Sequence, residues 1–309
     1  MRRFPGLDIP DDARGAVAAM GNFDGVHLGH RAVIDAARTI ALKGNAPLAV
    51  VTFEPHPRSV FAPDAPPFRL MTPDTRARRL EGLGVDLLFE VPFDGALAAL
   101  SPEAFAGDVL ADGLGLSHVV VGGDFRFGAK RAGDADALRG LGRMHGFGAT
   151  VAPMVSLPGG EVSSTRIREA LSDGRPEDAA RMLGHLHRVE GEVMHGEKRG
   201  RTLGFPTANL ALDGLHLPAF GVYAVRADVL TGPHAGRHLG AASLGVRPQY
   251  GGEVPNLETF VLDFDGDLYG ERLSVGLARY IRPELRFDSE AAFVARMHED
   301  VAEARRLLA

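Results

Sequence analysis

The sequence predicts two unlike domains: an α/β domain on a Rossmann-like parallel sheet, then a small antiparallel β-barrel with a terminal helix. Three observations carry this. Over the first half, short apolar runs alternate with longer helical patterns, the order that gives a parallel sheet covered by helices on both faces. From about Val189 onward the chain becomes short β-like runs punctuated by Gly and Pro, the pattern of an antiparallel barrel. Finally, Asp288-Ser289-Glu290 opens an amphipathic stretch to about Leu308, where a cap residue precedes helical spacing.

In the first half the strands are read at Ala16–Met20, Leu48–Phe53, Leu87–Val91, Val119–Val121 and Ala149–Pro153. Helices are read over roughly 28–43, 73–83, 102–112 and 134–145. Ser101-Pro102-Glu103 is a well-formed helix start: a cap, a fixed φ in the first turn, and an acid near the positive end of the dipole. A helical stretch at Pro176–Leu183 closes this half. In the second half the β-runs are Val189–Met194, Gly221–Val229, Leu239–Leu244, Leu257–Phe264 and Leu273–Ile281. The expected domains are therefore residues 1–183 and 184–309, joined at Gly184-His185-Leu186-His187.

Composition narrows the function. A chain of 309 residues suits two domains, and 45% hydrophobic with 24% charged residues is ordinary for a protein with packed cores. Cysteine is absent, which excludes disulfides, thiolate metal sites and cysteine nucleophiles. The net charge of −6 speaks against general nucleic-acid binding, so a site for an anion must concentrate positive charge locally. No apolar run is long enough to span a membrane, and Met1-Arg2-Arg3-Phe4-Pro5-Gly6 lacks the apolar core of a secretory signal. A cytoplasmic protein is the expectation.

Gly21-Asn22-Phe23-Asp24-Gly25-Val26-His27-Leu28-Gly29-His30 follows the first strand and opens the first helix. Ligands of open α/β sheets gather at carboxyl ends of strands, where helix N-termini favour phosphate. His27 and His30, three apart, share a helix face, and Gly29 keeps the wall between them low. Two imidazoles there can hydrogen-bond phosphate oxygens and stabilise charge developing during phosphoryl chemistry. A glycine-rich turn with two surface histidines explains the string equally well when it stands alone. It has company at other strand ends: Thr52-Phe53-Glu54-Pro55-His56-Pro57-Arg58, Gly122-Gly123-Asp124-Phe125-Arg126-Phe127-Gly128, and Ser163-Ser164-Thr165-Arg166-Ile167-Arg168 at a helix start. The last offers hydroxyls, amides and two guanidiniums to a triphosphate, although a Ser cap with solvated arginines is the commoner fate of such a string.

In the second half Thr207 and Asn209 lie two apart, so an extended segment points both the same way and two neutral oxygens can meet one hard cation. Mg²⁺ takes few protein ligands and completes its shell with water and phosphate oxygens, so ATP would bring the negative charge. Gly196, Lys198, Gly200 and Arg201 just upstream could enclose that phosphate. The plainer reading of Pro206-Thr207-Ala208-Asn209 is a turn with a Thr/Asn hydrogen bond. Glu258 is an acid inside an apolar strand; solvent-facing it would be ordinary, and facing the barrel mouth it could take a proton from a hydroxyl attacking ATP.

His27-Leu28-Gly29-His30 with Ser163–Arg168 resembles the nucleotidylyltransferase superfamily. Gly21–His30, Thr52–Pro57 and Asp124–Gly128 look like its FMN adenylyltransferase branch in bacterial bifunctional riboflavin kinase/FAD synthetases. The second half resembles the riboflavin kinase domain, most specifically over Gly200–Leu210. The resemblance implies riboflavin, FMN and ATP as substrates, Mg²⁺ as cofactor, and FMN and FAD as products. It implies that Asn22, His27 and His30 contact ATP phosphates, with Gly29, Ser164, Thr165 and Arg168 in the same phosphate grip. Phe53, Pro55, His56, Asp124 and Phe125 would line the nucleotide and flavin sites, Thr207 and Asn209 would bind Mg²⁺, and Glu258 would be the catalytic base. Ser243 and Gln249 depart from the kinase pattern, so an adenylyltransferase with a weakened kinase half is one competing reading and a non-catalytic flavin-binding protein another.

Overall fold

The computed structural model describes residues 1–195, 203–249 and 252–309. The chain divides into two compact units: residues 1–65 with 73–163, and residues 66–72 with 164–309.

The first unit is built on a six-stranded sheet in the order β1-β4-β3-β2-β5-β6, in which every neighbouring pair is parallel. The strands are β1 (Arg2–Pro5), β2 (Val17–Met20), β3 (Leu48–Glu54), β4 (Leu87–Pro92), β5 (His118–Val121) and β6 (Gly148–Val151). β2 is buried at every position and β3 at all but its last, which is why they read as continuous apolar runs rather than alternating ones. β1 carries no such signal: Arg2-Arg3-Phe4-Pro5 is a mostly exposed edge strand, held by register with β4 and by the Arg3–Glu90 and Arg3–Asp74 ion pairs.

From β2 the chain builds outward through β3 to β4, then returns to build β5 and β6 on the other side. The order of winding therefore reverses between β2 and β5, and the crevice beyond their carboxyl ends is where ligands of such sheets bind. Helix α1 (Leu28–Gly44) follows β2, α2 (Pro57–Phe61) follows β3, and α3 (Pro73–Gly82) precedes β4. The expected helix start at Ser101 is present, with Ser101 Oγ accepting from Ala104 N at 3.2 Å. Its body, Phe105–Gly113, winds as a π-helix, a spacing the apolar pattern does not distinguish from an α-helix. The core beneath the site is aliphatic and aromatic, including Met20, Val51, Phe89, Phe105 and Val119.

A short antiparallel pair, β7 (Ser156–Leu157) and β8 (Gly160–Glu161), also belongs to the first unit. The second unit is built on an antiparallel sheet in the order β10-β13-β12-β11-β14-β9. Its strands are β9 (His187–Glu192), β10 (Thr207–Ala211), β11 (Gly221–Val229), β12 (Gly236–Gln249), β13 (Gly252–Val261) and β14 (Arg272–Arg282). Just past β9, Met194 N donates to Asn209 O at 3.0 Å, joining the first and last strands of that order and curling the sheet toward a barrel. Val189, Leu210, Tyr223, Val225, Leu244, Leu257 and Val275 fill the interior. The terminal helix, Glu290–Leu308, starts at the expected cap, where Ser289 Oγ accepts from Ala292 N at 3.2 Å. It lays Ala304 on Ala224 and Ala241 and pairs buried Asp300 with Arg282 at 2.6 Å. Two helices that the sequence groups with the first half, residues 164–172 and 176–183, make their contacts in this unit.

Candidate active sites

In the first unit, two of the strand-end segments predicted from sequence come at the reversal of winding, after β2 and after β5. The Gly21–His30 turn is conformationally constrained: Phe23 (φ 52°) and Val26 (φ 42°) adopt left-handed backbone although neither is glycine. Both are essentially fully buried, so packing pins a conformation that their side chains disfavour. His27 caps α1, its Nδ1 accepting from His30 N at 3.2 Å. That bond fixes Nδ1 as an acceptor and leaves Nε2 as the position for a proton.

The His30 ring stacks on His27, with centroids 3.6 Å apart and planes 15° from parallel, and its centroid lies 5.0 Å from that of the Phe23 ring. Burial of the ring, and then the neighbouring His27, push the His30 imidazole well below the usual histidine range. Its Nδ1 is buried and without a protein partner. His30 is therefore a neutral hydrogen-bonding group at neutral pH, not a fixed cation. Gly29 has a steric reason: a Cβ there would meet the His27 ring at 3.1 Å. The imidazole is thus a constraint on this position beside the phosphate access expected from sequence.

At the end of β3, His56 repeats the device. It is buried, and its Nδ1 accepts from Arg58 N at 3.1 Å to cap α2. Phe53 lies at the start of a chain of rings: Phe53–Phe105 at 6.3 Å, Phe105–Phe127 at 5.7 Å and Phe127–Phe125 at 5.7 Å. The predicted lining residues Phe53 and Phe125 thus share one aromatic layer through two rings that sequence reasoning did not select. Pro55, Asp124 and Asn22 are exposed at the same strand ends. Ser164, Thr165 and Arg168 belong to the second unit, at the start of the helix Ser164–Ser172. There Arg168 Nε donates to Phe68 O at 2.6 Å and its guanidinium lies 5.5 Å from the Phe68 ring, while Thr165 is exposed.

The other predicted site is laid out on strands. β10 and β13 pair Asn209 with Glu258, and β12 pairs Ser243 with the same Glu258. Residues opposite one another in an antiparallel sheet share a face, as do residues two apart, so Thr207, Asn209, Glu258, Asn256 and Ser243 fall on one face. Leu210 and Leu257 point the other way, into the core. Glu258 therefore stands on the outer face of the curled sheet rather than among the side chains that fill it. Thr207 Oγ1 donates to Glu258 Oε2 at 3.4 Å, Asn256 Nδ2 to Asn209 Oδ1 at 3.0 Å, and Asn209 Nδ2 to Thr207 O at 3.2 Å. Asn209 is only 4% exposed, so these contacts hold its amide in one orientation. Phe205, buried just before β10, packs on Phe260 and on His298 of the terminal helix.

Two neutral oxygens beside one carboxylate suit a hard divalent cation that brings phosphate with it. Among the described residues there is no group of three or more His, Asp or Glu that could hold a metal ion. The predicted phosphate loop residues Gly196, Lys198, Gly200 and Arg201 lie outside the described residues.

A family model described as FAD synthetase matches residues 9–166, and one described as riboflavin kinase matches residues 183–308. A bifunctional riboflavin kinase/FMN adenylyltransferase of Pseudomonas fluorescens is 42% identical over 303 residues, covering 98% of this chain and 96% of its own. The chain belongs to the bifunctional riboflavin kinase/FMN adenylyltransferase family. The member from Escherichia coli K12 is 41% identical, with 94% of this chain and 92% of its own covered. A solved Streptococcus pneumoniae structure described as a macrolide-efflux protein superposes with a TM-score of 0.87 at 31% identity, covering 99% of both chains. Among the described residues of this family member, no helix is long and apolar enough to cross a membrane.

Sequence reasoning gave no role of their own to several residues around these sites. Thr52 and Arg76 both approach the carbonyl of Asn22, and Asn256 orients Asn209. Arg76 sits in a helix rich in charge, where a sequence pattern shows only a solvated face; its burial depends on which side of α3 meets the sheet.

Proposed function

We propose that the chain carries out two successive reactions on two separate sites. As a riboflavin kinase it moves the γ-phosphoryl group of ATP to the 5′-hydroxyl of riboflavin, giving FMN and ADP. As an FMN adenylyltransferase it joins the FMN phosphate to the α-phosphorus of a second ATP, giving FAD and releasing pyrophosphate. We assign the first reaction to a domain of residues 184–309 and the second to residues 1–183, in the cytoplasm.

The observation that carries the kinase assignment is the cross-strand pairing of Asn209 with Glu258, with Thr207 Oγ1 3.4 Å from the same carboxylate. Glu258 accepts the proton of the attacking hydroxyl, while Thr207 and Asn209 offer their oxygens to Mg²⁺. When bound, Mg²⁺ supplies charge neutralisation for the ATP phosphates. Gly196, Lys198, Gly200 and Arg201 enclose those phosphates in this reading.

In adenylyl transfer the nucleophile is a phosphate, already ionised near neutral pH, so no strong base is required. Catalysis then consists of positioning and charge stabilisation. The site residues agree with that demand: neutral, stacked His27 and His30, backbone amides at the start of α1, and Asn22 and Gly29 in the same turn. Ser164, Thr165 and Arg168 serve the triphosphate, and Phe53, Pro55, His56, Asp124 and Phe125 the flavin and nucleotide.

The test is a product assay on the whole chain. Riboflavin, ATP and Mg²⁺ in one reaction, and FMN, ATP and Mg²⁺ in another, are followed by chromatography of the flavins. Both FMN and FAD should form in the first reaction and FAD in the second. FAD from FMN alone would mean that the kinase half, with Ser243 and Gln249, has lost its activity. Flavin bound without any product would leave only a binding protein.

A further inference from the structure

We propose that Arg76 is a positioning residue for adenylyl transfer, tying the Asn22 turn to the end of β3 from beneath. The proposal rests on assigning the Asn22 turn to ATP phosphates. Arg76 is 3% exposed, and a guanidinium so buried requires partners. It has them on two adjacent strands. Its Nη2 donates to Glu54 Oε2 at 3.1 Å and to Glu90 Oε1 at 3.2 Å. Glu90, itself 7% exposed, is also bound by Arg3 at 3.0 Å, and Arg3 by Asp74 at 2.8 Å. The charges alternate from Glu54 through Arg76, Glu90 and Arg3 to Asp74.

Two links run from this network to the site. Glu54 is the last residue of β3, directly before Pro55 and His56. Thr52, fully buried and paired in register with Glu90, donates its hydroxyl to Asn22 O at 3.2 Å, and Arg76 Nη1 reaches the same carbonyl at 3.5 Å. The carbonyl of Asn22 is thus met by two donors from below, immediately before the left-handed Phe23. A buried ion pair adds little net stability compared with a well-packed apolar group, but it fixes geometry. Here the geometry it fixes belongs to two strand-end segments at once.

The experiment measures kcat and KM for ATP in FMN-to-FAD conversion by the full chain, with riboflavin phosphorylation by the same preparation as the internal reference. Thr52→Val keeps shape and removes one donor; kcat/KM for ATP should fall about 3- to 10-fold, the worth of one hydrogen bond. Arg76→Lys keeps the charge but cannot fork to both carboxylates and the carbonyl, and should fall roughly 10- to 100-fold. Because both act through one carbonyl, the double variant should be no more than about twofold worse than Arg76→Lys, a non-additivity that a general loosening of the fold would not produce. Riboflavin phosphorylation should stay unchanged in all three. Normal FAD kinetics in both single variants, strictly additive losses, or losses that merely track the fraction of folded protein would overturn the proposal. Asn22→Ala separates the two levels. A loss of FAD formation there, with Thr52→Val and Arg76→Lys normal, removes the role of Arg76 and keeps the site. A normal rate in Asn22→Ala removes the site assignment itself.

Discussion

The two proposed sites are built to meet phosphate in opposite ways. In the first unit the proposed ligands sit on segments that follow parallel strands, and their side chains are fixed by local devices: His27 and His56 each cap the helix they precede. In the second unit the proposed ligands are strand residues, fixed by sheet register, with Asn209, Glu258 and Ser243 in one row across three strands. The difference matches the chemistry. Attack by an ionised phosphate needs donors and orientation, which helix starts and turns provide. Attack by a hydroxyl needs a base at a set distance from a cation site, which a register provides without moving parts.

The sharpest way to break this contrast is Glu258→Gln, which keeps shape and removes the base. FMN formation should fall by about 10²- to 10⁴-fold, while FAD formation from supplied FMN stays normal. A near-normal kinase rate would place the base elsewhere. Asn209→Ala comes next. It removes one proposed Mg²⁺ oxygen and leaves Asn256 without its acceptor, so kinase turnover should fall roughly 30- to 100-fold at fixed Mg²⁺. Added Mg²⁺ should recover part of that loss, and no response to Mg²⁺ concentration would detach Asn209 from the metal. Equal loss of both activities would collapse the two sites into one.

His30→Ala tests the other side. A neutral donor to a phosphate oxygen is worth less than a base, so FAD formation should fall about 10- to 30-fold with riboflavin phosphorylation unchanged. Since burial and His27 hold the His30 imidazole below the usual range, the wild-type FAD rate should show no step from His30 between about pH 6.5 and 8. A step in that range that disappears in His30→Ala would show that the histidine works as a cation.

How much of this is written in the sequence depends on the same contrast. The Thr207–Asn209 pair is legible because strand periodicity puts residues two apart on one face. That Glu258 would stand opposite Asn209 is not legible, since register across strands distant in sequence is set by the folded sheet. In the first unit the glycine turn, the helix starts and the strand ends could be placed from apolar runs and caps. The capping roles of His27 and His56 could not, because Ser, Thr, Asp and Asn are the residues expected there. β1 and the burial of Arg76 escaped for one reason: their sequences are charged, and tertiary ion pairs decide that the first joins the sheet edge and that the second is buried.

The smallest effect at neutral pH belongs to His187, and it separates the units by stability rather than by activity. His187 is 2% exposed in β9, and its Nε2 is buried without a hydrogen-bond partner. Burial, with His216 and His185 nearby, pushes its pKa down to about 3. The unfolded chain takes up this proton near pH 6.5, so between about 6.5 and 3 it binds more protons than the folded one. Stability from this group is complete above about pH 6.5 and is lost as the pH falls, by up to ~1.4 kcal/mol per pH unit. All four tyrosines, at 223, 250, 269 and 280, lie in the second unit and the chain has no tryptophan, so tyrosine fluorescence in urea reports that unit alone. The urea midpoint should drop between pH 6.5 and 4.5, and the drop should be shallower in His187→Leu. An identical slope in that variant would mean that the acid sensitivity of this unit comes from other groups.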